Sequence, residues 1–111
     1  MYIYVLFYTF YFYLTQALAP NADTYFYSFS DLNPYDPVNE GFLAYLTYVS
    51  NQPYPPLVHS VSYGDDMANI FNSSNSGSVE YGQSCDIEFM KLGLRGITFL
   101  LSSGDDGIGS K

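Results

Sequence analysis

Three strand-like runs alternate with helix-length segments from residue 14 to the end of the chain, and this alternation strongly limits the possible folds. The runs are Asp23–Phe29, Leu57–Tyr63 and Ile97–Leu101, and they are rich in aromatic or β-branched residues. Successive strands separated by helices need crossover connections, which make the strands parallel. The sequence therefore predicts an α/β fold, with a parallel sheet and helices on its faces.

Two segments have the apolar spacing of amphipathic helices. The first helix is predicted from Asp36, in the capping position, to about Ser50. Its apolar residues recur at i, i+4, i+7, i+8 and i+11 and form one stripe: Val38, Phe42, Tyr45, Leu46 and Val49. The second helix is predicted from about Val79 to Leu94, with Gly96 placed to end it.

The first 13 residues, MYIYVLFYTFYFY, form an apolar and aromatic run unlike the rest of the chain. The run is too short for a transmembrane helix and has no basic residue before it, as a signal peptide would. A third interpretation is that it is not native to the protein. We therefore divide the chain into residues 1–13, an artefact or signal-like segment, and residues 14–111, one partial domain. Residues 14–19 predict the end of a helix, and residues 30–37 predict a loop.

The net charge of the chain limits the classes of partner that it can bind. The formal net charge is −8, and only three basic residues are present, so no basic patch exists for a nucleic acid. Cys85 is the single cysteine, which excludes an internal disulfide and favours a buried packing role. A membrane partner is not expected, although a small membrane protein anchored by residues 1–14 stays an alternative.

Two polar motifs follow the second and third strand-like runs. They are Ser62-Tyr63-Gly64-Asp65 and Ser103-Gly104-Asp105. In parallel sheets with helical crossovers, functional groups gather just beyond the carboxyl ends of the strands. The two motifs are therefore predicted to meet at one edge of the sheet and to form the functional site.

The sequence around these motifs resembles that of the sedolisin family of serine-carboxyl peptidases. The matching stretches are HSVSYGDD at residues 59–66 and EFMKLGLRGITFLLSSGDDGIG at residues 88–109. Sedolisins show a similar S-x-S-[YW]-G strand end, then a helix ending F-M-K…G-[IL]-R-G, a hydrophobic strand and S-G-D-S-G. The resemblance covers roughly residues 13–111. It implies a partial subtilisin-like three-layer fold and endopeptidase or tripeptidyl-peptidase activity at acid pH.

The resemblance also implies a role for each motif. Asp105 matches the family's oxyanion-hole acid, and Ser103 and Gly104 lie beside it. An ionised carboxylate only accepts hydrogen bonds, so such an acid must be protonated to donate one to a negative oxygen. Ser62, Tyr63 and Gly64 match the strand edge that pairs with the substrate backbone. Without the resemblance, Ser-Gly-Asp-Asp-Gly would read as an ordinary turn or a cation-binding loop.

Several parts of the family's machinery have no counterpart in the sequence. The positions expected for the catalytic glutamate and aspartate fall near Leu6 and Phe10, which cannot carry a proton. The nucleophile motif Gly-Thr-Ser and the family's calcium site would lie beyond Lys111, so no cofactor or metal is expected in this chain. Asp106 stands where the family usually has serine, which adds a second carboxylate beside Asp105.

These departures predict that the chain alone does not hydrolyse peptides. The expected partner is a peptide or protein substrate, and the expected location is secreted or in a lysosome-like acidic compartment. The alternative is a non-catalytic pseudopeptidase that binds peptides at the strand edge of Ser62. His59 is expected to be structural rather than the base of a Ser-His-Asp triad, because no Gly-x-Ser-x-Gly elbow accompanies it and it lies within a strand.

Overall fold

The computed structural model describes residues 12–29, 32–33, 36–64, 76–105 and 107–108. Three helices lie in this part of the chain, at residues 12–18 (α1), Phe42–Asn51 (α2) and Ser76–Leu94 (α3). The same part contains the strands Leu32–Asn33 (β1), Asp36–Glu40 (β2), Val58–Val61 (β3) and Thr98–Leu101 (β4). Helix α1 ends before Pro20, as predicted, whereas residues 1–11 of the aromatic segment lie outside the described residues.

Strands β3 and β4 form a two-stranded parallel sheet. Val58 pairs with Thr98, and the register continues in step to the last pair, Val61 with Leu101. The chain that joins the two strands contains α3, the kind of helical crossover that parallel neighbours require. The predicted parallel α/β arrangement is confirmed for this pair of strands.

Helices α2 and α3 pack on one face of this sheet. The ring of Phe99 in β4 lies 5.1 Å from that of Phe89 in α3 and 6.4 Å from that of Tyr45 in α2, between centroids. Six buried side chains form the core: Leu46, Val49, Tyr81, Cys85, Leu92 and Ile97. On the opposite face, Val58 and Leu100 are 63% and 57% exposed. Both helices that pack on the sheet in the described part of the chain therefore cover the same face.

The strand predicted for residues 23–29 is wrong, because these residues belong to no strand or helix. Their aromatic side chains pack against α2 instead: the ring of Tyr27 lies 5.8 Å from that of Tyr48, and the ring of Phe29 lies 5.5 Å from that of Tyr45. Ser28, between them, is exposed. The alternation in the sequence thus reflects packing against a helix. A strand also needs a hydrogen-bonded neighbour, and none is present for this segment among the described residues.

The helix start predicted at Asp36 is also wrong. The loop predicted over residues 30–37 is wrong at residues 32–33 and 36–37, which lie in strands, and its other residues lie outside the described part of the chain. Asp36–Glu40 forms β2, which pairs antiparallel with β1, and the helix begins only at Phe42, after the buried Gly41. No side chain of Gly41 can cap the helix, and the backbone N–H of Leu43 is instead satisfied by the hydroxyl of Tyr81 in α3, 3.0 Å away. Strand pairing and this cross-helix contact outweigh the local capping preference of Asp-Pro.

The carboxyl end of α3 is as predicted. Gly96 has a φ of +78°, which a glycine adopts without strain. The N–H of Ile97 donates to the carbonyl of Leu92 at 3.1 Å, and the N–H of Gly96 donates to that of Gly93 at 2.9 Å. This is the Schellman arrangement, and it brings the buried side chains of Ile97 and Leu92 into the same core.

Arg95 fastens the end of α3 to the end of α2. Its Nη1 donates to the carbonyl of Ser50 and its Nη2 to that of Gln52, both at 2.7 Å. These carbonyls lie in the last turn of α2 and just after it, where they lack partners within the helix and where a positive charge is favourable. Arg95, which directly follows α3, therefore acts on the neighbouring helix.

Replacing Arg95 with methionine is expected to lower the free energy of unfolding by about 1 to 2 kcal/mol, because two charge-assisted hydrogen bonds are lost. Urea denaturation followed by circular dichroism measures the change. Lys91→Met is the matched control, since Lys91 makes an exposed ion pair with Glu88 at 2.6 Å, which is worth less than about 1 kcal/mol. Equal losses in the two variants would contradict the proposed role of Arg95.

Candidate functional site

The two predicted motifs leave the sheet side by side. Because β3 and β4 are parallel and in register, their carboxyl ends lie at the same edge, and the N–H of Ser102 donates to the carbonyl of Val61 at 3.1 Å, just past the last pair. Residues 62–64 and 102–105 follow directly from these ends. The backbone therefore brings the two motifs together, as the sequence predicted.

Gly64 lies near the second motif. A Cβ added to this glycine would just reach van der Waals distance of the carbonyl oxygen of Ser102, at 4.0 Å. In the second motif, Gly104 has a φ of +85°, a left-handed conformation that residues with a side chain rarely adopt. The glycine of Ser-Gly-Asp therefore allows the turn that directly precedes Asp105.

The candidate side chains at this edge are mostly open to solvent. Ser62, Ser103 and Asp105 are exposed, and Tyr63 is half-buried. Asp105 therefore offers a carboxyl group at the tip of β4, where it can accept hydrogen bonds when ionised and donate one when protonated. Asp106, the additional carboxylate predicted beside it, lies outside the described residues, as do the two acidic residues after Gly64.

His59 lies in the interior and does not belong to this edge. The residue is only 5% exposed and points toward α2. Its Nδ1 accepts a hydrogen bond from the hydroxyl of Tyr45 at 2.6 Å, and its Nε2 donates to the carbonyl of Pro56 at 2.9 Å. Burial lowers the pKa of the imidazole below 6.5, which the hydrogen bond to Pro56 opposes. Both ring nitrogens are therefore occupied in a neutral ring, which agrees with the predicted structural role.

Cys85 has the packing role that the sequence favoured. It belongs to the buried core, and burial raises the pKa of its thiol to about 11, so the thiol stays protonated and unreactive at physiological pH. Within the described residues, no cluster of three or more histidine, cysteine, aspartate or glutamate side chains is arranged to hold a metal ion. The same part of the chain contains no helix with the length and apolar character needed to cross a bilayer.

An open groove that the sequence did not predict lies at the other end of β3. Its volume is about 480 Å³, and its walls include Tyr25, Tyr27, Tyr48, Tyr54 and Pro56. The groove begins beside Leu57, before β3, whereas Ser62 and Asp105 lie beyond the opposite ends of the strands. The cluster of tyrosine and proline in the sequence was the available signal for it. The groove is separate from the strand-end site.

The chain is similar to part of known peptidases. It is 39% identical over 94 residues to tripeptidyl-peptidase 1 of Dictyostelium discoideum, which covers 85% of this chain and 14% of that protein. Tripeptidyl-peptidase 1 of Canis lupus familiaris is 46% identical over 70 residues, and that of Homo sapiens is 44% identical over 70 residues. Each of these two matches covers 63% of this chain and 11% of the relative.

The chain thus spans about a seventh or less of the length of the curated relatives it matches, since the covered shares are 14% and 11%. No family model matches the chain. No solved structure matches it at a significant level.

Proposed function

We propose that this chain, which is a sedolisin-type sequence homologous to part of the tripeptidyl-peptidases 1, contributes to the catalytic domain of a longer acid-acting peptidase. The longer protein would hydrolyse peptide bonds as an endopeptidase or a tripeptidyl-peptidase. The observation that supports this most is the parallel pairing of β3 with β4, which brings both family motifs to one edge of the sheet. The complete domain would have the subtilisin-like three-layer fold.

Asp105 is proposed to stabilise the oxyanion of the tetrahedral intermediate. In its protonated form the carboxyl group would donate a hydrogen bond to the negative oxygen that forms when the nucleophile attacks the scissile carbonyl. Its exposed position at the tip of β4 leaves it accessible to a bound peptide. Ser103 and Gly104 set the turn that presents it, since the positive φ of Gly104 redirects the chain there.

Ser62, Tyr63 and Gly64 are proposed to bind the substrate backbone. An extended peptide adds to a sheet most readily where the receiving backbone is exposed and side chains do not obstruct it. Gly64 has no side chain and, like Ser62, is exposed, while the half-buried Tyr63 forms one wall. The substrate carbonyl would then lie near residues 62–64 and Asp105, because both follow the carboxyl ends of the paired strands β3 and β4.

The serine nucleophile and its glutamate–aspartate pair would come from other parts of the longer protein. A protonated carboxyl at an oxyanion site stabilises an intermediate but does not create one, so we propose that residues 1–111 alone have no peptidase activity. The acidic net charge of −8 would be partly neutralised at low pH, which suits a secreted or lysosome-like acidic location. The proposed partner is a peptide or protein substrate, and no metal or cofactor is assigned to this chain.

A non-catalytic peptide-binding pseudopeptidase is the second candidate. It is favoured by Leu6 and Phe10, which occupy the positions where the resemblance places the catalytic acids and which cannot transfer a proton. A protein of this kind would use the edge at residues 62–64 to bind extended peptides without cleaving them.

The two candidates are separated by the sequence and activity of the longer protein. An active peptidase requires Glu-x-x-x-Asp before this region and Gly-Thr-Ser after it, and the purified protein is expected to release tripeptides or cleave internal bonds of quenched peptides. We expect the rate to be highest at acid pH and to fall toward neutrality across a series from about pH 3 to about pH 8. Intact flanks without these motifs, together with peptide binding and no cleavage, would favour the pseudopeptidase.

A further inference from the structure

The buried His59 connects four parts of the molecule. It lies in β3, its Nδ1 contacts Tyr45 of α2, and its Nε2 contacts the carbonyl of Pro56 in the loop before the strand. Its ring stacks on Phe99 of β4, with centroids 5.0 Å apart and planes inclined by 22°, and on Tyr27 at 6.0 Å and 28°. The side chain is therefore a junction between the sheet, α2, the loop before β3 and residues 23–29.

The hydrogen bonds fix the tautomer of the neutral ring. A carbonyl oxygen can only accept, so the nitrogen that faces Pro56 must carry a hydrogen. In the neutral ring the other nitrogen, Nδ1, then has a lone pair, and it accepts the hydroxyl hydrogen of Tyr45 at 2.6 Å. Burial raises the pKa of Tyr45 to about 12, so its hydroxyl keeps that hydrogen over the whole physiological range.

Within the described part of the chain, a positive charge on His59 would face no negatively charged side chain. Four groups among the described residues face the ring. They are Tyr45 from α2, Tyr27 from residues 23–29, Phe99 from β4 and the carbonyl of Pro56. The two tyrosines are titratable but neutral, because burial raises both of their pKa values above 10.0. Protonation would therefore bury a charge that has no counter-ion there, and the Tyr45 hydroxyl would have to rotate and accept from Nδ1 instead of donating to it.

We propose that Tyr45, His59 and Pro56 form an acid-released clasp, which holds α2 and the loop before β3 against the sheet at neutral pH and loosens when His59 takes up a proton. The clasp is distinct from the strand-end site and does not depend on the proposed function. It would make the packing of α2 on β3 sensitive to the acidity of the compartment.

The direction of the pH effect follows from the pKa of His59 in the folded and unfolded chains. Burial depresses the folded value below the ordinary 6.5, so the folded state binds fewer protons than the unfolded state in the interval between the two values. Stability is therefore fully present above pH 6.5 and falls as the pH drops, by at most about tenfold in the folding equilibrium constant per pH unit.

Another acid-sensitive group acts in a different pH range. The pKa of Glu88 is lowered from 4.5, mainly by hydrogen bonds from Lys91 and Ser50, so its contribution to stability is lost only as the pH falls below that value. Measurements between about pH 7.5 and about pH 5 therefore report on the histidine.

The experiment uses the full 111-residue chain, in which His59 is the single histidine and gives unambiguous imidazole signals in NMR spectra. We expect its titration midpoint to lie below 6.5, and we expect the folding equilibrium constant from urea denaturation to fall between about pH 7.5 and about pH 5. An unchanged equilibrium constant, a midpoint at or above 6.5, or the lack of a cooperative transition at about pH 7.5 would overturn the proposal.

Two variants test the clasp, and a third variant serves as the control. His59→Gln is expected to remove the pH dependence, because its side chain is neutral throughout and can still donate to Pro56. Tyr45→Phe removes the hydroxyl that contacts Nδ1, so the midpoint of His59 is expected to shift, and this NMR readout remains decisive if His59→Gln does not fold. Tyr48→Phe, on the same helix, should leave the midpoint unchanged. Equal midpoints in the wild type and Tyr45→Phe would refute the clasp.

Discussion

Replacing Asp105 with alanine in the longer peptidase is expected to lower turnover at acid pH by about 100- to 1,000-fold, the usual effect of removing one oxyanion-hole donor. The carboxyl group acts when charge develops on the carbonyl oxygen, so the loss should appear in kcat much more than in KM. Asp105 is exposed in the loop after β4, so the substitution should leave the fold intact. Steady-state kinetics with a quenched peptide measures the effect.

The control for this experiment removes a carboxylate elsewhere. Asp86 is exposed on α3, away from the ends of β3 and β4, and Asp86→Ala should change kcat little. Thermal unfolding of both variants checks that each is folded at the pH of the assay. Turnover at the parental rate by Asp105→Ala across acid pH would show that this side chain is not the oxyanion donor.

The periodic parts of the fold were predictable from the sequence. The stripe of α2 placed Leu46 and Val49 in the core, where both are fully buried, and Gly96 marked the end of α3. These features depend on residues close together in the chain, because helix periodicity and a glycine with positive φ are local. The parallel pairing of β3 with β4 was also predictable, since a helix of 19 residues separates them.

The incorrect predictions involve interactions between distant residues. Asp36-Pro37 is a good local helix start, yet β2 forms there and the helix begins at Phe42, with Tyr81 from α3 supplying the hydrogen-bond partner for its first turn. The alternating rings of residues 23–29 resemble a strand but pack on α2. Strand pairing and side-chain packing outweighed local propensity in these two segments. The local sequence pattern does not indicate which distant residues they contact.

In the candidate site and around His59, too, the features set by neighbouring residues were predictable, and the contacts between distant residues were not. The strand-end position of Asp105 follows from the pattern of hydrophobic strand and Ser-Gly-Asp, and the structure agrees with that placement. The contacts of His59 do not follow from any pattern, because Tyr45 is 14 positions away in the sequence and Phe99 lies in another strand. The structural role of His59 was predictable from the sequence, whereas its hydrogen-bond partners were not.

Replacing Leu92 with alanine is expected to lower the free energy of unfolding of the chain by about 2 to 5 kcal/mol. Leu92 is fully buried, and it belongs to the same core as Leu46, Val49 and Ile97. The loss combines the transfer of the removed methyl groups with the cavity that remains. A domain of this size has a stability on the order of 5 to 15 kcal/mol, so the variant should denature at a clearly lower urea concentration.

Leu94 provides the matched control on the same helix. Its side chain is 91% exposed, so Leu94→Ala removes the same atoms without opening a cavity and should change the free energy of unfolding by less than about 0.5 kcal/mol. The difference between the two variants isolates the contribution of burial, because their intrinsic helix propensities change equally. Similar urea midpoints would mean that α3 does not pack on α2 around Leu92. Because Arg95 and the Schellman turn follow directly from this residue, the placement of β4 and of Asp105 would then lack its support.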